Sequence, residues 1–557
     1  MKKAVIILSI LLTCTVSFGQ VIEPAIPPLK LPIEFSGTYG ELRTDHFHAG
    51  FDFRTGGVTG HQVFAIKDGY ISRVSVSPGG YGNGLYINHK DGTMSVYGHL
   101  SKFTDEIAAK VLEEQYKNEK FNINLFFGPN DFPVKQGELI GLSGNTGSSG
   151  GPHLHMEIRR QGGELPTNFL RDGVYNYPDN LVPVIQRVGF YAYEDSTGYA
   201  QHRKLTILSS PSETVKVPAK SYIAVDAIDK LPGSPYKMGV EVYRVLLDGE
   251  EFFRFTVGDV SYSEQSYIKS MIAYGESGSD MIKTQVDPGN ALKYKVQAKN
   301  NGVIILDDYA PHKLRVEAID YTGNVAGATY TIVRDDSVKA LTDDDSLSHY
   351  NMLWYTPNTL NTKEISVTLP SGALYNSCDF TYGKVADADP EKGIYSSVWR
   401  IGDPTTPLAK SATVKFKVDA PDSLKSKMIL ARYDASTGKI TAAGGKYENN
   451  GVVLRTSSLD TYCVTLDTIP PTLIPITAKE AQISSSGEVY FTMKDEFSGI
   501  SDFLASCDGE WVLGLLKGSR LTIYLDTVHH RKGLHHISVT AIDGCGNTTD
   551  VDLDVFF

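Results

Sequence analysis

The chain has 557 residues, a formal net charge of −12, 41% hydrophobic residues and 21% charged residues. That length allows three or four domains, each with its own core. The acidic balance argues against nucleic acid as a partner, because phosphate binding needs a basic patch.

The N-terminus reads as an export signal. Met1-Lys2-Lys3 is basic, Ala4 through Val16 are almost wholly apolar, and Ser17-Phe18-Gly19 ends in a small residue. Residues 1–19 are therefore expected to be a signal peptide cleaved after Gly19, too short for a spanning helix. Leu11-Leu12-Thr13-Cys14 faintly resembles a lipoprotein cleavage box, although Thr before the Cys fits poorly. No later apolar run approaches the roughly 18 residues of a transmembrane helix. The expected location is periplasmic, cell-envelope associated or secreted.

The chemistry concentrates in residues 20–178. His48-Ala49-Gly50-Phe51-Asp52 places a His and an Asp four apart. Tyr97-Gly98-His99-Leu100 puts a second His at the end of a strand-like run, and Gly151-Pro152-His153-Leu154-His155 supplies two more. On a strand, residues i and i+2 share a face, so His153 and His155 aim into one space. A catalytic zinc takes three His or carboxylate ligands and keeps a fourth position for water. Further imidazoles can move protons or hold an oxyanion. His48, Asp52, His99, His153 and His155 together meet that demand. His46, two residues before His48, and Arg43 are placed to support the site from behind.

These blocks, with Val134-Lys135-Gln136-Gly137-Glu138-Leu139-Ile140-Gly141 and Gly144-Asn145-Thr146-Gly147, resemble the lysostaphin-type (LytM-like) zinc metalloendopeptidases that cut peptidoglycan peptides. The resemblance covers roughly residues 36–170. It implies one Zn2+ per chain on His48, Asp52 and His155, with His99 and His153 as the catalytic histidines. It also implies a small antiparallel β-sheet groove and peptidoglycan peptides as substrate. A wall-binding regulator and a zinc protease acting on proteins are the rival expectations.

Residues 101–133 form an insertion. Asp105–Lys120 is expected to be an amphipathic helix, with Phe103 just before it and Ile107 and Val111 within it recurring at four-residue spacing among charged residues. Residues 122–132 read as an irregular loop. The helix either packs on the domain or serves as a lid, since active-site lids are one use of long loops.

The remainder reads as β-rich, so the whole chain is expected to be mainly β with β-sandwich accessory domains. Leu314-Arg315-Val316-Glu317-Ala318-Ile319-Asp320-Tyr321-Thr322-Gly323-Asn324 recurs as Ile537-Ser538-Val539-Thr540-Ala541-Ile542-Asp543-Gly544-Cys545-Gly546-Asn547. Asp179-Asn180-Leu181-Val182-Pro183 is echoed by Asp467-Thr468-Ile469-Pro470-Pro471, and Asp229 by Asp495. Segments 179–335 and 468–557 resemble bacterial immunoglobulin-like sandwiches, the first with extra loops or hairpins near 250–310. Between them, 345–467 is a third β-rich unit of unassigned function, preceded by an acidic linker. These units are expected to position the enzyme or to bind a cell-envelope protein partner.

Four cysteines follow Cys14 and allow three pairings. The domain reading favours Cys378–Cys463 and Cys507–Cys545. None lies in the catalytic segment, and no Cys-x-x-Cys spacing occurs to hold a structural zinc. His529-His530 and His535-His536 read as a polar turn rather than a metal site. His61 and His89 read as structural, and Ser77–Gly84 as a β-turn without phosphate-loop chemistry.

Overall fold

The computed structural model describes residues 24–557 except 44, 161–164, 196–198, 212–213, 276–280, 340–346 and 485. The expected signal peptide and Cys14 lie outside the described residues. Strand dominates, at 47% against 7% helix. Among the described residues, no helix is long and apolar enough to cross a membrane.

The first domain runs β1 (Phe35–Gly37), β2 (Phe51–Arg54), β3 (Gln62–Phe64), β4 (Gly69–Val76), β5 (Gly84–His89), β6 (Met94–Gly98), β7 (Lys102–Phe103), α1 (Asp105–Asn118), β8 (Ile123–Phe126), β9 (Pro133–Val134), β10 (Leu139–Leu142), β11 (His153–Arg160) and β12 (Leu165–Pro166). The main sheet has the order β1-β2-β11-β6-β5-β4-β8, with β12 paired to β11 and β9 to β4. A smaller sheet, β3-β10-β7, packs with it. All these pairs are antiparallel.

Alternation explains the two faces of the central strands. On β2, Phe51 and Phe53 are buried against Phe35, Phe169 and Tyr175. Asp52 points the other way. On β11, Leu154, Met156 and Ile158 enter the core while His153, His155 and Glu157 share the opposite face. Antiparallel register sets His155 directly beside Asp52 on one side and Gly98 on the other. Gly50 permits this approach. A Cβ there would stand 2.5 Å from the Met156 carbonyl oxygen and 2.9 Å from His155 Cε1.

The insertion holds the expected helix. Ile107 and Val111 of α1 join the domain core, as does Phe103 before it. The segment expected to be wholly irregular contains β8, which hydrogen-bonds along β4 and extends the sheet. Alternation in Ile123-Asn124-Leu125-Phe126 is the reason: Ile123 and Leu125 turn inward, and Phe126 stays exposed. The β8 edge lies four strands from β11, so about 19 Å of sheet separates it from the histidines. The far end of α1 meets the last unit, where Tyr116 stacks on His529 at 3.4 Å between ring centroids and meets the edge of Trp511.

Each later unit is a pair of sheets. Strands between Val184 and Arg334 form five- and six-stranded sheets, those between Ser348 and Leu466 six- and five-stranded sheets, and those between Thr472 and Phe556 four- and five-stranded sheets. The extra residues near 250–310 give a hairpin strand, Glu250–Thr256, and short helical turns. Phe47 of the first domain inserts into the core of the unit that follows.

The expected disulfides are absent: Cys378, Cys463, Cys507 and Cys545 are free thiols. Cys378 and Cys463 lie on strands separated by Val398–Ile401. Two strand spacings are about 9–10 Å, beyond the roughly 7 Å that a disulfide spans. Cys507 is paired with Ile537, at one end of a strand whose other end leads to Cys545. That separates the two by about 20 Å.

Replacing Gly50 by Ala should destabilise the protein by about 1–3 kcal/mol through overpacking. Chemical denaturation would show this as a lowered midpoint, and an unchanged midpoint would contradict the close approach of β2 to β11.

Candidate metal centre

His48, Asp52 and His155 converge. His48 Nε2 lies 3.2 Å and His155 Nδ1 2.9 Å from Asp52 Oδ1, and the two nitrogens are 3.1 Å apart. A tetrahedral ion with bonds of about 2.0–2.1 Å sets its ligand atoms about 3.3 Å apart, close to this spacing. His48 and His155 are buried.

The outward nitrogens fix each tautomer. His48 Nδ1 donates to the Thr38 carbonyl at 2.9 Å, leaving Nε2 as the free lone pair. His155 Nε2 donates to Glu157 Oε1 at 2.9 Å, leaving Nδ1 toward Asp52. His99 Nδ1 donates to the Thr146 carbonyl at 2.8 Å and His153 Nδ1 to that of Gly151 at 2.8 Å. Both therefore keep Nε2 unprotonated when neutral. His153 Nε2 lies 3.4 Å from Asp52 Oδ1, and the rings of His99 and His153 are 4.7 Å apart. His99 holds a left-handed backbone, φ 61°, at the end of β6. A side chain with a Cβ adopts that conformation at a cost of roughly 1–3 kcal/mol, a strain that clusters at functional sites.

Electrostatics favour a cation here. Burial opposes charge on Asp52, but His48, His153 and His155 overcome it and hold the carboxyl well below its usual range. Burial likewise opposes charge on His155, yet hydrogen bonds to Asp52 and Glu157 lift it to about 9. Two carboxylates thus demand positive charge between them, which an imidazolium proton or a metal ion supplies. Burial, then the charges of His155 and His153, push His99 down to about 4, so it stays neutral at neutral pH.

Residues 46–116 and 129–166 match peptidase family M23, and residues 349–467 match the Zu5-like domain. Lipoprotein NlpD of Yersinia enterocolitica is 31% identical over 115 residues, which cover 20% of this chain and 94% of that protein. The chain belongs to peptidase family M23. Members are LytM-type metallopeptidases acting on peptidoglycan. The DD-carboxypeptidase/endopeptidase Mpg of Neisseria meningitidis serogroup B is 34% identical over 121 residues, covering 22% of each protein. The chain thus spans under a quarter of the length of that relative. Among solved structures, the catalytic domain of the antimicrobial peptidase lysostaphin from Staphylococcus simulans is 28% identical, covering 23% of this chain and 81% of that one, with a TM-score of 0.18.

Around the M23 centre, the two supporting residues expected from sequence fare differently. Arg43 Nη2 sits 3.8 Å from Asp52 Oδ2 and 3.2 Å from Glu41 Oε2. His46 does not join. The chain reverses between Leu42 and Phe47, so the i+2 rule of a continuous strand fails, and exposed His46 bonds its neighbour Asp45 at 2.6 Å. His61 and His89 hold backbone and hydroxyl groups away from the site. Of the late histidines, His529 stacks on Tyr116, His536 pairs with Asp554, and His535 pairs with Asp508.

Sequence reading missed a network behind His155. Glu157, fully buried, accepts from His155 and from Arg159 Nε at 2.7 Å. Arg159 and His155 hold the Glu157 carboxyl at about 2 despite its burial. Tyr81 donates to Glu157 Oε1, and Tyr262, from the following unit, donates to Oε2 at 2.7 Å. The signal lay in the alternation His153, His155, Glu157, Arg159 along one strand face. Tyr262 had no local signal.

Replacing Glu157 by Gln keeps the shape but removes the charge that orients His155. Metal affinity should fall about 10–100-fold, while His46→Ala leaves it unchanged. Competition against a chromophoric zinc chelator measures both, and equal affinities would refute the support role.

Proposed function

We propose that the protein is an exported zinc endopeptidase that hydrolyses peptide bonds in peptidoglycan cross-links or stem peptides. The observation that carries this reading is the convergence of His48, Asp52 and His155, each nitrogen with its outward partner already fixed, beside two further histidines on the same face. Two imidazole nitrogens and a carboxylate oxygen are a donor set suited to zinc. The names of the relatives, an endopeptidase among them, support peptide-bond hydrolysis.

Bound zinc would lower the pKa of a coordinated water and polarise the scissile carbonyl. The chain's own residues divide the remaining work. Asp52 Oδ1 and the lone pairs of His48 Nε2 and His155 Nδ1 face the ion. His99 Nε2 and His153 Nε2 stand beside it, each pinned through Nδ1, so each can accept a proton at Nε2 or donate one from it to an oxyanion or leaving amine.

Accessory units fold back on the enzyme and support a positioning role for them at the cell envelope. Lys517 of the last unit donates to the Asn145 carbonyl at 3.0 Å, in the glycine-rich loop beside His153.

His99→Ala and His153→Ala should retain about one zinc per chain and lose about 10²–10⁴ in kcat. His48→Ala and His155→Ala should lose the metal itself. Mass spectrometry of purified peptidoglycan digested by the zinc-loaded protein should reveal new peptide ends that vanish with a chelator. Zinc-loaded protein that leaves peptidoglycan intact yet cuts proteins would overturn the substrate assignment, and a His99→Ala variant with full turnover would overturn the division of roles.

A further inference from the structure

Three carboxylates meet where the M23 domain joins the next unit. Asp179 lies in the connecting segment, Asp229 follows strand Lys220–Ile228, and Asp320 follows strand His312–Ile319. One oxygen from each lies within 4.8 Å of the others. Asp229 and Asp320 are only 1% and 3% exposed, while Asp179 is half-buried. Leu231, Met238, Tyr177 and Tyr321, drawn from both sides of the joint, pack into the M23 core nearby.

Two further observations separate this cluster from an ordinary acidic patch. Asp229 Oδ1 and Asp179 Oδ2 are buried and make no hydrogen bond. The charges bearing on Asp229 are those of Asp320 and Asp179, with no cation among them. Other buried carboxylates of the fold have a cation, as Asp91 has Lys67 and Asp287 has Lys283, or are filled by backbone amides. Burial, with the neighbouring carboxylates, pushes Asp229 up to about 8. An uncompensated triad of this kind cannot be fully ionised without a cation.

The repeat supplies an internal contrast. Asp467, Asp495 and Asp543 occupy the echoed positions at the entrance to the last unit and also cluster. There, backbone amides fill the carboxylates. Ser498 N donates to Asp467 Oδ2 at 3.1 Å, and Phe497 N and Gly499 N donate to Asp495 Oδ1 at 3.0 and 2.7 Å. The corresponding oxygens at the first joint, Asp179 Oδ2 and Asp229 Oδ1, receive no such donors. Asp320, by contrast, is held in place by Thr322 N at 2.8 Å, Asn324 N at 2.9 Å and Asn324 Nδ2 at 2.8 Å.

We propose that Asp179, Asp229 and Asp320 bind one calcium ion that closes the joint between the M23 domain and the unit after it. The donor set is all oxygen, which selects a hard cation. Calcium tolerates irregular carboxylate arrangements and fills its shell with carbonyls and water, whereas magnesium demands near-octahedral geometry. Half-exposed Asp179 gives the ion its way in.

The test titrates calcium chloride into zinc-loaded protein of residues 20–557, exchanged into calcium-free buffer, by calorimetry and thermal unfolding. One calcium should bind with a Kd of about 10⁻⁴–10⁻³ M or tighter, as in extracellular modules, and raise the unfolding temperature. Asp229→Asn and Asp179→Asn should each weaken binding at least about tenfold and abolish the thermal shift, while Asp495→Asn leaves both unchanged. Circular dichroism checks folding of the variants. Should Asp229→Asn fail to fold, Asp179→Asn on the half-exposed connector carries the test alone. No binding at ~10 mM calcium, far above that range, would overturn the proposal and leave Asp229 as a protonated acid. Binding that survives Asp179→Asn would overturn it too.

Discussion

A carboxylate taken out of water must meet positive charge or donors, or it will not stay ionised. Asp52 is the point where this constraint acts hardest. One of its oxygens lies within 3.4 Å of nitrogens from His48, His153 and His155. That convergence requires β2 beside β11 in one register, and the register requires Gly50, since a Cβ there would strike the backbone of β11. It also requires the opposite face of β2 to be anchored, which Phe51 and Phe53 accomplish against Phe35 and Phe169. The aromatic core and the polar centre are two faces of the same two strands.

Outward from Asp52, order is imposed by groups that can only accept. The carbonyls of Thr38, Thr146 and Gly151 and the carboxylate of Glu157 each take one imidazole proton, so four lone pairs face one region of space. Glu157 is itself a buried charge, and Arg159, Tyr81 and Tyr262 satisfy it. Because Tyr262 belongs to the following unit, that unit contributes to the orientation of His155. The accessory chain is therefore part of the centre's support as well as its attachment.

Much of the fold was legible because it follows from period. Alternation in Phe51-Asp52-Phe53 and His153-Leu154-His155 assigns faces without any tertiary knowledge, and four-residue spacing announces α1. The alternation of Leu314–Ile319 followed by Gly323-Asn324 likewise anticipated a strand and the turn after it, His312–Ile319 and its return Val325–Arg334. Where period breaks, reading failed. His46 was placed with His48 by a rule that holds only on a continuous strand, and the turn between Leu42 and Phe47 voids it. The disulfide pairing assumed that two cysteines in one domain are near each other, yet one intervening strand or one strand length keeps them apart. Tyr262 was invisible because a contact across 105 residues leaves no pattern in either segment.

Beside the apolar packing at the first joint, three of the polar and aromatic contacts between the accessory units and the M23 domain differ in their energetics. Lys517 on the Asn145 carbonyl is an exposed contact of the kind that contributes at most about 1 kcal/mol. Tyr116 on His529 adds aromatic stacking, worth about 0.5–1.5 kcal/mol beyond its burial. Tyr262 on Glu157 is different, since removing a donor from a buried, ionised carboxylate leaves a charged group short of partners, at a cost of about 1–3 kcal/mol or more. Of the three, then, only the last ties the position of an accessory unit to the charge state of the metal centre. A motion that withdrew the unit holding Tyr262 would loosen Glu157 and with it His155, whereas withdrawal of the last unit would break contacts such as Lys517 with the Asn145 carbonyl and Tyr116 with His529 and leave Glu157 with its partners.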